Sequence, residues 1–184
     1  MMRAVLYFLG CLTEMDIKWL VSNGRAVPYD QGDVLITAGE PITDIGFLME
    51  GELSIVLDSQ SGKEVNRMYA GEIFGEISFL DSRPPSATVN AVTEVQILAI
   101  DREDMEDKLR RDPEFAARFF RGIGVLMANR LRGLIDHLDD ADEDNLFSEE
   151  VSEELDPELL DLVNLAGRRF DLMVELFRER ATTV

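Results

Sequence analysis

A single cysteine, Cys11, and a single histidine, His137, stand in the 184 residues. One thiol closes no disulfide within the chain, and no CxxC pair or histidine cluster is on hand for a metal site. A Ser-His-Asp hydrolase would need His137, which sits in a helical pattern beside acidic residues, so no catalytic residue and no metal ligand is assigned. Basic residues are scarce as well: 18 Lys and Arg stand against 37 Asp and Glu, a formal net charge of −19. That balance argues against a broad phosphate-neutralising surface for DNA or RNA and offers nothing to an anionic membrane. Long apolar runs are missing. The apolar stretch at residues 4–9 is too short for a membrane span and no A-x-A-like cleavage site follows it. The expected location is the cytoplasm, where the acidity keeps the chain soluble.

What remains is a 46% apolar fraction, enough to bury the core of one ordinary domain with an appendage. Residues 12–21 read as a helix, with Thr13 as cap, Asp16 in the first turn, and Leu12, Met15, Ile17, Trp19 and Leu20 on an apolar side. Asn23-Gly24 supplies its stop. From residue 25 to 101 the texture becomes short β-type runs separated by turns such as Gln31-Gly32-Asp33, Gly39-Glu40-Pro41 and Glu50-Gly51-Glu52. This pattern predicts an antiparallel barrel or sandwich.

After Asp101 the period turns helical. One helix is expected to reach Arg110, and Asp112-Pro113-Glu114 restarts a second. Along that second helix Phe120, Gly124, Met127, Leu131, Leu134 and Leu138 alternate in steps of four and three. Such a seam suits either a twin helix or the helix's own domain. Residues 139–144 are a charge run, and Asp156-Pro157-Glu158 opens a last helix. Its Leu159, Val163, Ala166, Phe170, Met173 and Phe177 repeat the four-three spacing. So apolar a face must be buried, against the domain, a twin or another protein. Arg168-Arg169 and Arg178 to Arg180 are expected to bridge to the acidic linker rather than to nucleic acid.

The organising stretch is Gly71-Glu72-Ile73-Phe74-Gly75-Glu76-Ile77-Ser78, continued by Arg83-Pro84-Pro85-Ser86-Ala87-Thr88. Glycines let backbone approach a ligand closely, and the free N–H groups of a helix's first turn favour an anion. Taken with the ordered turns Gly32-Asp33, Gly39-Glu40-Pro41 and Glu50-Gly51-Glu52, it resembles the phosphate-binding cassette of the cyclic-nucleotide-binding domain family.

The resemblance covers about residues 12–138 and implies an α+β fold: an eight-stranded antiparallel β-roll of jelly-roll type with an N-terminal helix and C-terminal helices. It divides the chain into a binding domain at 1–138, an acidic linker at 139–156 and a C-terminal amphipathic helix at 157–184. It implies a non-catalytic regulatory module for cAMP or cGMP, with ligand residues Phe74, Gly75, Glu76, Ile77, Ser78, Arg83, Ser86 and Ala87. Glu76 falls where the family's glutamate accepts from the ribose 2′-hydroxyl, and Gly75, Ile77, Ser86 and Ala87 match the amides around the cyclic phosphate. Pro85 stands where the family carries its phosphate-binding arginine, and Arg83, two residues earlier, is the substitute cation or a solvated loop residue. Met127-Ala128-Asn129-Arg130-Leu131 resembles the long helix of the transcription-factor branch, but residues 139–184 offer no recognition helix for DNA. The partners implied are a cyclic nucleotide, a twin subunit through 115–138 and 157–177, and an unidentified protein. A ligand-free interaction domain of the same fold is the second reading.

Overall fold

The computed structural model describes residues 6–57, 62–139 and 157–182, with side-chain surroundings given for 8–57, 62–132 and 164–180. Eight strands form an antiparallel roll: β1 (Arg25–Tyr29), β2 (Val34–Ile36), β3 (Asp44–Glu50), β4 (Glu52–Leu57), β5 (Lys63–Tyr69), β6 (Ile73–Phe74), β7 (Thr88–Ala91) and β8 (Val95–Asp101). They make two four-stranded sheets, ordered β1-β8-β3-β6 and β2-β7-β4-β5. Among the described residues six helices accompany them: α1 (Leu6–Cys11), α2 (Glu14–Asn23), α3 (Glu76–Asp81), α4 (Arg102–Arg111), α5 (Pro113–Asp139) and α6 (Pro157–Thr182). The α+β roll implied by the family resemblance is therefore present, with α3 inserted between β6 and β7.

Strand period 2 explains how one roll serves two cores. Leu48 on β3 and Ile97 and Ala99 on β8 point between the sheets, where they meet Leu53, Met68 and Val89. Their neighbours Ile45, Phe47, Leu98 and Ile100 point outwards and are buried under the helices. Both faces of β3 and β8 are thus covered, which is why those strands read as continuous apolar runs.

The β3–β4 turn depends on Gly51, with φ 94°. A Cβ there would overlap the Glu94 carbonyl oxygen and lie 2.9 Å from Thr93 Oγ1. Gly51→Ala combines left-handed strain with a backbone clash, and its unfolding free energy in urea is expected to fall by at least about 2 kcal/mol.

Helix α2 starts as expected. Thr13 and Asp16 form a capping box, and Gly24 donates its N–H to Leu20 O at the far end. The break between α4 and α5 is also local: the Asp112 carboxylate accepts the Phe115 N–H at 2.9 Å, and Pro113 takes the first helical position, where no N–H is needed.

Along α5 the buried stripe is Phe115, Phe119, Ile123 and Leu126. It lies beside the seam anticipated from spacing. Phe120 and Leu131 of that seam remain 48% and 59% exposed, while Met127 packs at the edge of the helical core. The side chains of Leu134, His137 and Leu138 fall outside those described. Gly122 lets α1 approach closely, since a Cβ there would lie 2.7 Å from Phe8 Cδ2.

Of the three covers expected for the apolar face of α6, the structure shows the chain's own domain. Its Ala166, Met173 and Phe177 are buried in the chain's own helical core, and α1 and α2 are the elements it packs against. At these three positions the stripe is covered by the chain itself. Leu159 and Val163 lie outside the described side chains. Two of the basic residues on α6 have partners at the ends of neighbouring helices. Arg169 donates to Leu9 O at 3.2 Å and to Gly10 O; Arg180 donates to Gly24 O at 2.7 Å and to Val21 O. Both arginines satisfy carbonyls at the ends of α1 and α2, where a cation also complements the helix dipole. The linker at 140–156 lies outside the described residues.

Candidate ligand-binding cassette

The cassette begins where β6 pairs with β3, Ile73 opposite Phe47 and Phe74 opposite Gly46. The Phe74 ring occupies the place of a side chain at Gly46; a Cβ there would overlap Phe74 Cζ. The chain then turns at Gly75, φ 81°, where a Cβ would lie 2.8 Å from Asp44 O. Only glycine meets both demands without strain. α3 follows at once, with Glu76 as its first residue.

Glu76 is 2% exposed. Its carboxylate is paired with the guanidinium of Arg130 from α5, and Arg130 Nη2 also reaches Ile73 O at 3.4 Å. Burial raises the Glu76 carboxyl above the usual glutamate range; the Arg130 charge and Glu76's own backbone amide pull it back in part. A buried carboxylate needs such partners, because an unpaired charge in the interior is strongly disfavoured.

Phe74, Gly75, Glu76, Ile77 and Ser78 thus form one continuous turn and helix. Ser78 is buried, whereas Ile77 is 53% exposed. α3 ends at Ser82, a left-handed residue with φ 57°. Beyond it, Arg83 points into solvent, its side chain 84% exposed and its Nε 3.8 Å from Asp81 Oδ2. Ser86 is exposed, and Pro85 and Ala87 are half-buried. The loop is held by its backbone: Gly39 donates its N–H to Pro85 O at 2.8 Å, and Ala38 donates to Thr88 Oγ1 at 3.1 Å.

Arg130 is the cassette residue that sequence reasoning passed over. The signal was the Met127 to Leu131 match that contains it, but its partner lies 54 positions away in the chain. Among the described residues, no group of three or more His, Cys, Asp or Glu could hold a metal ion, and no helix is long and apolar enough to cross a membrane.

The profile of the cyclic nucleotide-binding domain family matches residues 26–112, from the second residue of β1 to the junction of α4 and α5. The rat cGMP-dependent protein kinase 2 is 31% identical over 140 residues, which are 72% of this chain and 18% of the kinase. The CRP-like cAMP-activated global transcriptional regulator of Mycobacterium tuberculosis is 25% identical over 126 residues, 67% of this chain and 54% of the regulator. The chain therefore spans only part of either curated relative. Among solved structures, the N-terminal domain of a transcriptional regulator from Streptomyces coelicolor superposes with a TM-score of 0.56 at 30% identity, covering 68% of this chain and 86% of that one.

Proposed function

The chain belongs to the cyclic nucleotide-binding domain family, and from that premise we propose that it is a non-catalytic regulatory module taking cAMP or cGMP at the 74–87 cassette. The observation that carries this reading is Glu76: a carboxylate set by the left-handed Gly75 at the start of α3, 2% exposed and paired with Arg130, to which a ribose hydroxyl donates by entering beside that guanidinium or in its place. In this reading the amides at Gly75, Ile77, Ser86 and Ala87 surround the cyclic phosphate. Phe74 and Ser78 shape the turn, while Arg83, turned into solvent beside Asp81, contributes little to the phosphate. The kinase is named for cGMP and the regulator for cAMP, so both nucleotides are carried forward. Residues 1–138 bind, 139–156 link, and 157–184 pass the change to a protein partner. A second copy of the chain meets the exposed side of α5 at Phe120 and Leu131. The setting is the cytoplasm.

Affinity is expected between millimolar and micromolar, because Pro85 supplies no charge to the phosphate. Titration calorimetry of cAMP and cGMP into the full chain tests this. Glu76→Ala is expected to weaken cAMP binding about 10- to 100-fold, the worth of one hydrogen bond to a charged acceptor. Wild-type protein with 2′-deoxy-cAMP should lose the same factor, and the two losses should not add. No heat and no thermal shift at millimolar nucleotide would sink the reading in favour of a ligand-free interaction domain.

A further inference from the structure

The far end of α3 is held by a residue that the cassette reading leaves unused. Arg102, the first residue of α4, folds back onto it. Its Nη1 donates to Ser78 O at 3.2 Å and its Nη2 to Phe79 O at 3.1 Å and Ser82 Oγ at 3.0 Å. Nε donates to Glu106 Oε1 at 2.8 Å, and the guanidinium carbon lies 5.3 Å from the centre of the Phe79 ring. A six-residue helix is too short to hold itself, and the carbonyls of its last turn lack the full set of helical donors. Ser78 O accepts the Ser82 N–H at 3.0 Å; Arg102 adds a second donor there, gives one to Phe79 O, and places a cation where the helix dipole favours one.

The backbone of Arg102 is anchored too. Its N–H donates to Thr43 O at 2.8 Å, next to Asp44, whose carbonyl oxygen lies beneath Gly75. One residue therefore ties the C-terminus of α3 to the chain segment that borders the α3 N-terminus. Arg130 from α5 holds Glu76, and Arg102 from α4 holds the opposite end, so the two helices that meet at Pro113 grip α3 between them.

We propose that Arg102 is a positioning residue of the cassette: it fixes the axis of α3, and with it the Gly75 to Ile77 amides and the Glu76 carboxylate, without itself touching a bound nucleotide. This deepens the cyclic-nucleotide reading and rests on it for the affinity measurement alone. Arginine suits the position because its planar fork reaches two carbonyls and a hydroxyl in one fixed geometry, of which a compact lysine ammonium meets only a part.

The test compares Arg102→Ala, Arg102→Lys and Glu106→Gln in the full chain by cAMP calorimetry and by amide NMR of the ligand-free protein. Arg102→Ala is expected to weaken cAMP binding at least about tenfold. It should also displace the resonances of residues 75–79 while leaving those of α2 and α6 in place. Arg102→Lys should recover part of both effects, and Glu106→Gln should leave cAMP affinity within about twofold of wild type. Cassette resonances unmoved in Arg102→Ala, or cAMP affinity within threefold of wild type, overturns the proposal. So does a loss of affinity accompanied by shifts spread evenly over the whole chain. If wild-type protein takes up no cAMP, the nucleotide reading fails by itself, and the ligand-free amide comparison still decides the role of Arg102. Should Arg102→Ala not fold, Arg102→Lys and Ser82→Ala carry the same comparison: smaller displacements confined to 75–79 support the role, and none refutes it.

Discussion

Asp16→Ala is expected to lower the stability of the chain by about 3 kcal/mol, the lower part of the range for breaking a buried ion pair. Asp16 is 3% exposed and serves two elements. Within α2 it accepts the Thr13 N–H at 2.7 Å, while its own N–H donates to Thr13 Oγ1 at 3.2 Å. Across the helical core it accepts from Arg118 Nε at 2.7 Å and from Nη2 at 2.9 Å. Truncation removes the cap and leaves Arg118 without its bidentate partner. The Arg118 side chain is 29% exposed, so water reaches it in part, which is why the lower end of the range applies. Urea unfolding should show an earlier midpoint with an unchanged slope.

The same residue gives the sign of one pH effect. Burial would raise the Asp16 carboxyl, but the hydrogen bonds from Arg118 and Thr13 and the Arg118 charge together outweigh it and hold the pKa below the ordinary value of 3.8. A depressed folded pKa means that the contribution is complete above the unfolded value and disappears as pH falls through the folded one. The stability advantage of wild type over Asp16→Asn should therefore be constant near neutrality and shrink below about pH 4. An advantage that grows on acidification would contradict the assignment.

Asp16 also shows which parts of the molecule could be read from sequence. Its capping box spans four residues, so Thr13 and Asp16 announced the start of α2 directly. Its ion pair with Arg118 joins positions 102 apart, and nothing in the local pattern marks it. The strands were legible where β-branched or apolar residues stood between turn glycines, down to the three residues of β2. β6 was not, because two residues, Ile73 and Phe74, show no alternation; pairing with β3 makes them a strand. α1 was read as a short apolar run, since a six-residue helix has no periodicity to display and owes its form to packing between α5 and α6. The apolar stripe of α6 was plain at a four-three spacing, but which surface covers it is a property of the assembled fold. Within the cassette, the Gly75 turn and Glu76 were legible because left-handed glycines and first-turn acids leave local signatures. Arg130 and Arg102 were not, because they act at α3 from helices that follow it in the chain.

Pro85→Arg is expected to raise cAMP affinity by about 30-fold to several thousand-fold, the equivalent of a charge-assisted phosphate contact worth about 2–5 kcal/mol. The position tolerates the change. Pro85 is half-buried, and its known tie to the fold is its carbonyl oxygen, which accepts the Gly39 N–H at 2.8 Å; any residue can supply that group. Loss of the proline ring gives the unfolded chain more freedom and should reduce stability by about 0.4–1 kcal/mol. Salt separates the two sources of the gain. The wild-type chain, at −19, repels an anion at long range, so cAMP binding should strengthen modestly as salt screens that repulsion. In Pro85→Arg a direct ion pair opposes the trend, and the gain over wild type should shrink at high salt. Arg83→Ala in the wild-type background is the companion measurement. Because Arg83 is turned into solvent beside Asp81, its removal should change cAMP affinity by less than about threefold. A Pro85→Arg chain that folds as wild type and binds cAMP no more tightly would mean that the rest of the cassette is not shaped for the phosphate. The function would then rest with the exposed side of α5 and the surface of α6.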